Sequence, residues 1–139
     1  IKKNSTYSIG KASIKEIEKL NILQATLLSM KRAINNLKDK PNIVLIDGNH
    51  APKNLNYQYK TIVRGDEKIP AISAASIIAK VARDRYITKL AKNYMSYGWH
   101  TNFGYGTKKH LKAINKFGVT VHHRKSFKPM HNILLGKKK

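Results

Sequence analysis

Residues Ile43-Val44-Leu45-Ile46, set between Pro41 and Asp47-Gly48, constrain this chain more than any other stretch. Consecutive apolar residues in so short a run, bounded by Pro and Gly, predict a strand rather than a helix, and one buried on both faces. Before it, Ile14, Ile17, Leu20, Leu23, Leu27, Met30 and Ile34 recur at three- and four-residue spacing, which is a helical stripe. Ser13 with Glu16 three residues on is a capping-box signature for the start of that stripe, and a break is expected near Leu20-Asn21. After it, Tyr57 to Val63 alternates loosely and reads as a second strand, ended by Gly65-Asp66. Pro70 suits the first turn of a long helix, from about Ala71 to Tyr94. Gly98, Gly104 and Gly106 mark a loop, and Thr107 to Phe117 reads as a helix stopped by Gly118. Thr6 to Ala12, short and partly aromatic, reads as a further strand. Strands alternating with helices predict an α/β fold. One domain is expected over 1–139, with a solvated basic tail at 136–139.

Charge narrows the function. Lys and Arg total 28 against 7 Asp and Glu, a formal net charge of +21. A field this positive attracts phosphate backbones at long range, so the expected partner is a polyanion. Hydrophobic residues at 41% exclude a disordered basic tail. The absence of Cys excludes disulfide scaffolds, thiolate zinc sites and thiol nucleophiles, and suits a reducing compartment. No apolar run reaches the length of a membrane span, and no charged-then-apolar leader is present. Any carboxylate chemistry must draw on Glu16, Glu18, Asp39, Asp47, Asp66, Glu67 and Asp84.

Two of these acids stand out. Asp47 lies just past the C-terminal end of the most hydrophobic strand, where α/β sheets build their sites. Asp47-Gly48 suits a simple turn as readily. On the long helix, Ser73, Ser76, Lys80 and Asp84 fall within an arc of roughly 80° at about 100° per residue. Ala71, Ala74, Ala75 and Ala79 lie beside them. Hydroxyls, an ammonium and small neighbours fit a phosphate backbone, and a solvated helix face fits the same pattern. Asp84, between Arg83 and Arg85, reads either as a local charge partner or as a ligand for a divalent cation. Tyr105, between Gly104 and Gly106, reads as a stacking residue or as partial packing. His122-His123-Arg124-Lys125 lacks zinc-ligand spacing and reads as an addition to a phosphate-facing surface.

Taken in order, several stretches resemble the ribonuclease HII family. They are Leu20-Asn21-Ile22-Leu23-Gln24-Ala25-Thr26, Val44 to Asn49, Gly65-Asp66, Ile69 to Asp84, Gly104-Tyr105-Gly106-Thr107 with His110-Leu111, and His122-His123-Arg124 with Ser126-Phe127. The resemblance implies a ribonuclease H-like fold, a mixed central sheet flanked by helices. It implies hydrolysis of the RNA strand of RNA–DNA hybrids and nicking of DNA at embedded ribonucleotides, through water activated by Mn2+ or Mg2+, leaving 5′-phosphate and 3′-hydroxyl ends. Of the family's four metal-binding acids, Asp47 would be the third and Asp84 the fourth. Gly65, Ser73, Ala74, Ser76 and Lys80 would meet the substrate backbone, and Tyr105 the sugar at the RNA–DNA junction. A cytoplasmic monomer is implied. The family's Gly-x-Asp-Glu-x-Gly-Arg-Gly pattern, which supplies the first two acids, has no match in this sequence. The chain, opening on Ile1, is therefore expected to be about the C-terminal two-thirds of the enzyme, without its first strands. These residues alone are then expected to be nearly inactive. The alternative is a fragment that acts at most as a basic nucleic-acid-binding module.

Overall fold

The computed structural model describes residue 3 and residues 5–136. The chain divides into two compact units, Ile1–Lys80 and Val81–Lys139.

The first unit is built on two parallel strands, β1 (Ile43–Asp47) and β2 (Gln58–Ile62), paired from Ile43 opposite Gln58 to Asp47 opposite Ile62. The Gly48 N–H donates to the Ile62 carbonyl at 2.9 Å and closes the C-terminal edge of the pair. Helices α1 (Ile14–Leu20) and α2 (Ile22–Asn35) precede the strands; α3 (Gly65–Lys68) and the first half of α4 (Pro70–Ala91) follow. Ser13 and Glu16 form the full capping box at α1. Asn21, at φ 69°, ends α1 and caps α2 by accepting the Gln24 N–H at 3.0 Å. Its short polar side chain makes the left-handed conformation tolerable.

Glu16 also ties the two helices together. Its carboxylate accepts from Arg32 Nη2 at 2.6 Å and Nη1 at 3.0 Å, a two-pronged, charge-assisted contact. The Arg32 bonds, then those from Ser13, hold the Glu16 carboxyl down from 4.5 to about 2. This anchor is present above the ordinary carboxylate range and is lost as the pH falls toward 2.

In the second unit, the end of α4 meets a 3-10 turn η1 (Met95–Tyr97), α5 (Trp99–Asn102), α6 (Lys108–Phe117) and α7 (Lys128–Gly136). Ala91, Tyr97, Trp99, Ala113, Ile114 and Met130 form its core, with Tyr94 and Leu111 against it. Ile114 is fully buried; that burial is worth about 2 kcal/mol. Among the described residues, no helix is long and apolar enough to cross a membrane.

Five expectations change. Thr6 to Ala12 is irregular backbone laid along α2, not a strand. Its bonds go to Arg32, which donates to the Lys11 carbonyl at 2.7 Å, and to Asp39, which accepts from Thr6 Oγ1 at 2.9 Å. β1 is not buried on both faces: Ile46 is buried, but Ile43 is 51% exposed. A two-stranded sheet offers too little cover for both faces. The Gly98–Gly106 region holds one short helix, α5, instead of a plain loop, and α7 reaches Gly136, where a tail was expected. Residues 137–139 of that tail lie outside the described residues. Finally, His122 and His123 are not a phosphate-facing surface. His123 is buried, stacked on His110 at 5.3 Å between ring centroids, and His122 lies edge-on to Tyr94 at 5.2 Å.

The histidine stack has a pH consequence. His123 Nδ1 accepts the Thr120 N–H at 2.9 Å, which leaves its proton on Nε2, buried without a hydrogen-bond partner. Burial, then the neighbouring His110 and His122, pushes the His123 imidazole down from 6.5 to about 4. A histidine with a depressed folded-state pKa favours unfolding once protonated. Its stabilising contribution is complete above pH 6.5 and disappears as the pH falls from 6.5 to about 4. Urea unfolding is expected to lose up to roughly 3 kcal/mol across that window. His123→Asn, which keeps an acceptor for Thr120, should flatten the dependence. An unchanged pH dependence in that variant would contradict the assignment.

Candidate metal and nucleic-acid site

Asp47 ends β1 with its carboxylate turned across the sheet edge. Oδ1 accepts the backbone N–H of Gly65 at 2.8 Å. Gly48, at φ +89°, does make the turn that the dipeptide suggested, yet the Asp47 side chain is not spent on it. One carboxylate oxygen is held by this bond, and among the described residues no hydrogen bond is made by the other.

Gly65 explains why that contact is possible. It is buried at the start of α3, and its carbonyl accepts the Ile69 N–H at 2.8 Å. A Cβ there would lie 2.7 Å from Ile72 Cδ1, 3.3 Å from Ile62 Cβ and 3.4 Å from Asp47 Oδ1. A side chain at this position would crowd Ile72 and Ile62, which pack beside the bond to the carboxylate. Instead of lying open to a substrate, Gly65 orients Asp47. The turn before it is fixed by Arg64, at φ 55°, which grips Glu67 with Nη2 to Oε2 at 2.7 Å.

On α4, Ser73 and Ala74 are half-buried, while Ser76 and Lys80 are exposed. The four residues are thus spread from the flank to the open surface of one helix. In the second unit, Asp84 keeps 18% side-chain exposure and accepts from Arg83 Nη1 at 3.3 Å. Tyr105 is 57% exposed on the segment between α5 and α6, with the Arg83 guanidinium 5.0 Å from its ring centroid.

The structure adds two residues that sequence reasoning did not single out as functional. Asn102 is buried, and its amide donates to the Tyr97 carbonyl and accepts the Gly104 N–H beside Tyr105. Arg83, read only as a charge partner for Asp84, also lies over Tyr105. The Asn-x-Gly spacing at Asn102–Gly104 is a turn signal that points to the first; no local signal pointed to the second. Among the described residues, no group of three or more His, Asp or Glu could hold a metal ion.

The family model described as Ribonuclease HII matches residues 1–130. The chain belongs to the ribonuclease HII family. It is 63% identical over 134 residues to the ribonuclease HII of Pelagibacter ubique, covering 96% of this chain and 72% of that protein. It is 54% identical over 127 residues to the ribonuclease HII of Cereibacter sphaeroides, covering 91% of this chain and 60% of that protein. Among solved structures, the ribonuclease H2 of Pyrococcus horikoshii superimposes with a TM-score of 0.73 at 25% identity, over 91% of this chain and 67% of that one. The α/β architecture of ribonuclease HII is therefore present, carried here on a small parallel sheet. The chain spans between 60% and 72% of the length of these two curated relatives.

Proposed function

We propose that the protein is an endonuclease that hydrolyses the RNA strand of RNA–DNA hybrids and nicks DNA at embedded ribonucleotides. The observation that carries this reading is the Asp47 carboxylate, held at the strand end by the Gly65 N–H with one oxygen left open. Family membership supports it. So does the charge of +21, which favours a nucleic-acid duplex.

Asp47 and Asp84 would each offer hard carboxylate oxygens to a divalent metal such as Mg2+ or Mn2+. A bound metal of this kind lowers the pKa of water and stabilises charge on the phosphate oxygens. Gly65 keeps Asp47 pointed; Ser73, Ala74, Ser76 and Lys80 offer hydroxyls, a small surface and an ammonium to the backbone of the substrate. Tyr105 offers a face for a sugar or base. The expected products carry 5′-phosphate and 3′-hydroxyl ends. The assigned setting is the cytoplasm, and the assigned form a monomer.

Fluorescence anisotropy separates this reading from a purely basic binding module. A duplex with one ribonucleotide should bind about fivefold more tightly than the same duplex in DNA, a preference lost in Tyr105→Leu. Equal affinities would support the basic module instead.

A further inference from the structure

Tyr105 is fixed from two directions. From the inside, Asn102 Nδ2 donates to the Tyr97 carbonyl at 2.8 Å, and its Oδ1 accepts the Gly104 N–H at 2.8 Å. The Tyr105 N–H donates to the Asn102 carbonyl at 2.8 Å. Phe103 and Gly104 between them take left-handed φ values of 48° and 78°. A non-glycine residue at such a φ is held there only when its surroundings over-determine it. From the outside, Arg83 reaches over from α4. Its guanidinium carbon lies 5.0 Å from the ring centroid, and its Nη2 would be 3.9 Å from a Cβ on Gly104.

An exposed tyrosine on a surface segment ordinarily samples several rotamers. Here the backbone is clamped and one face of the ring meets a planar cation, while 57% of the residue stays open. The bond from Arg83 Nη1 to Asp84 Oδ1, at 3.3 Å, does not use up a guanidinium with five donors. Arginine suits this position better than lysine because a flat, delocalised cation stacks on an aromatic face.

We propose that Arg83 is a positioning residue for Tyr105. It sets the plane of the ring before nucleic acid arrives, so that the open face meets a sugar or base without first losing rotamer freedom. The proposal rests on the reading of Tyr105 as a nucleic-acid contact. Its distinctive consequence is that Arg83 acts through Tyr105 and not through a phosphate.

A double-mutant cycle on affinity for an RNA–DNA hybrid tests this, using the protein as its gene encodes it. Arg83→Ala should weaken binding roughly two- to fivefold, the range of an exposed cation–ring contact. Arg83→Lys, which keeps the charge but not the flat face, should recover less than half of that loss. In a Tyr105→Leu background, Arg83→Ala should have no further effect. The slope of log affinity against log salt should be unchanged by Arg83→Ala, whereas loss of a phosphate contact lowers it by about one. Additive losses, full recovery in Arg83→Lys or a reduced salt slope would each overturn the positioning role while leaving Tyr105 as a contact. An unaltered affinity in Tyr105→Leu would overturn the contact itself, and with it the proposal.

Discussion

In the protein as its gene encodes it, Asp47→Asn is expected to reduce metal-dependent nicking on the order of 1000-fold while leaving the fold intact. The two halves of that result have separate causes. Asparagine keeps an oxygen where Asp47 Oδ1 accepts the Gly65 N–H at 2.8 Å, so the strand end and α3 stay in place. The unfolding free energy should change by less than about 1 kcal/mol, the net worth of one ordinary hydrogen bond. What disappears is the charge. A neutral amide is a poor ligand for a hard divalent ion, and metal stabilisation of a phosphoryl transition state is worth several kcal/mol. Asp47→Ala separates the effects further. It leaves the buried Gly65 N–H without a partner and should cost about 1–3 kcal/mol of stability as well as the activity. Steady-state nicking and urea unfolding, measured on the same samples, check both halves. Full activity in Asp47→Asn would remove Asp47 from the metal site.

Gly10→Ala is the substitution expected to damage the fold most. A Cβ at Gly10 would fall 1.8 Å from the Ser29 carbonyl oxygen, 2.6 Å from the Ala33 nitrogen and 2.8 Å from the Ser29 carbonyl carbon. All three atoms are backbone of α2, so no side-chain rotation relieves the clash. Either the helix bends or the segment 6–12 lifts away and gives up the bond from Arg32 to the Lys11 carbonyl. Overpacking of this kind costs on the order of 3 kcal/mol or more, which is a large share of a marginal stability. The midpoint of urea unfolding reads it directly. A loss below about 1 kcal/mol would show that the segment does not lie against α2 in solution.

Gly10 also illustrates what the sequence could and could not disclose. Features decided by neighbouring residues were legible. The Ser13–Glu16 capping box, the break at Asn21 and the start of α6 at Thr107 rest on side chains reaching three residues along the backbone, and the Gly118 stop and Pro70 start on those residues' own backbone geometry. Asp47 was legible as a strand-end acid for the same reason. Features decided at a distance were not. Thr6 to Ala12 has the composition of a strand, and only α2 pressing on Gly10 makes it irregular. His123 has the composition of a polar surface, and only the rings of Tyr97, Trp99 and His110 against it make it core. Ile43 has the composition of a core residue, and its exposure follows from what covers the sheet.

The same division runs through the site. Ser73, Ser76, Lys80 and Asp84 could be aligned from helical periodicity, because one helix carries them all. The bond from Gly65 to Asp47 and the meeting of Arg83 with Tyr105 each join distant parts of the chain, and neither residue pair has a spacing that announces it. Family resemblance identified Gly65 and Tyr105 as noteworthy, and the geometry supplied the physical reason. A side chain at Gly65 would press on Ile72 and Ile62, beside the bond that holds Asp47; Tyr105 has a cation over its ring.

The most direct measurement is the mapping of cut ends on a duplex carrying one embedded ribonucleotide. The protein as its gene encodes it is incubated with the duplex and Mg2+ or Mn2+. The account predicts a nick at the ribonucleotide that leaves a 5′-phosphate and a 3′-hydroxyl, with no cut in the all-DNA duplex or after chelation. Ends carrying a 2′,3′-cyclic phosphate would contradict it, because the ribose hydroxyl would then be the nucleophile in place of water. Equal cutting of the all-DNA duplex would contradict it as well.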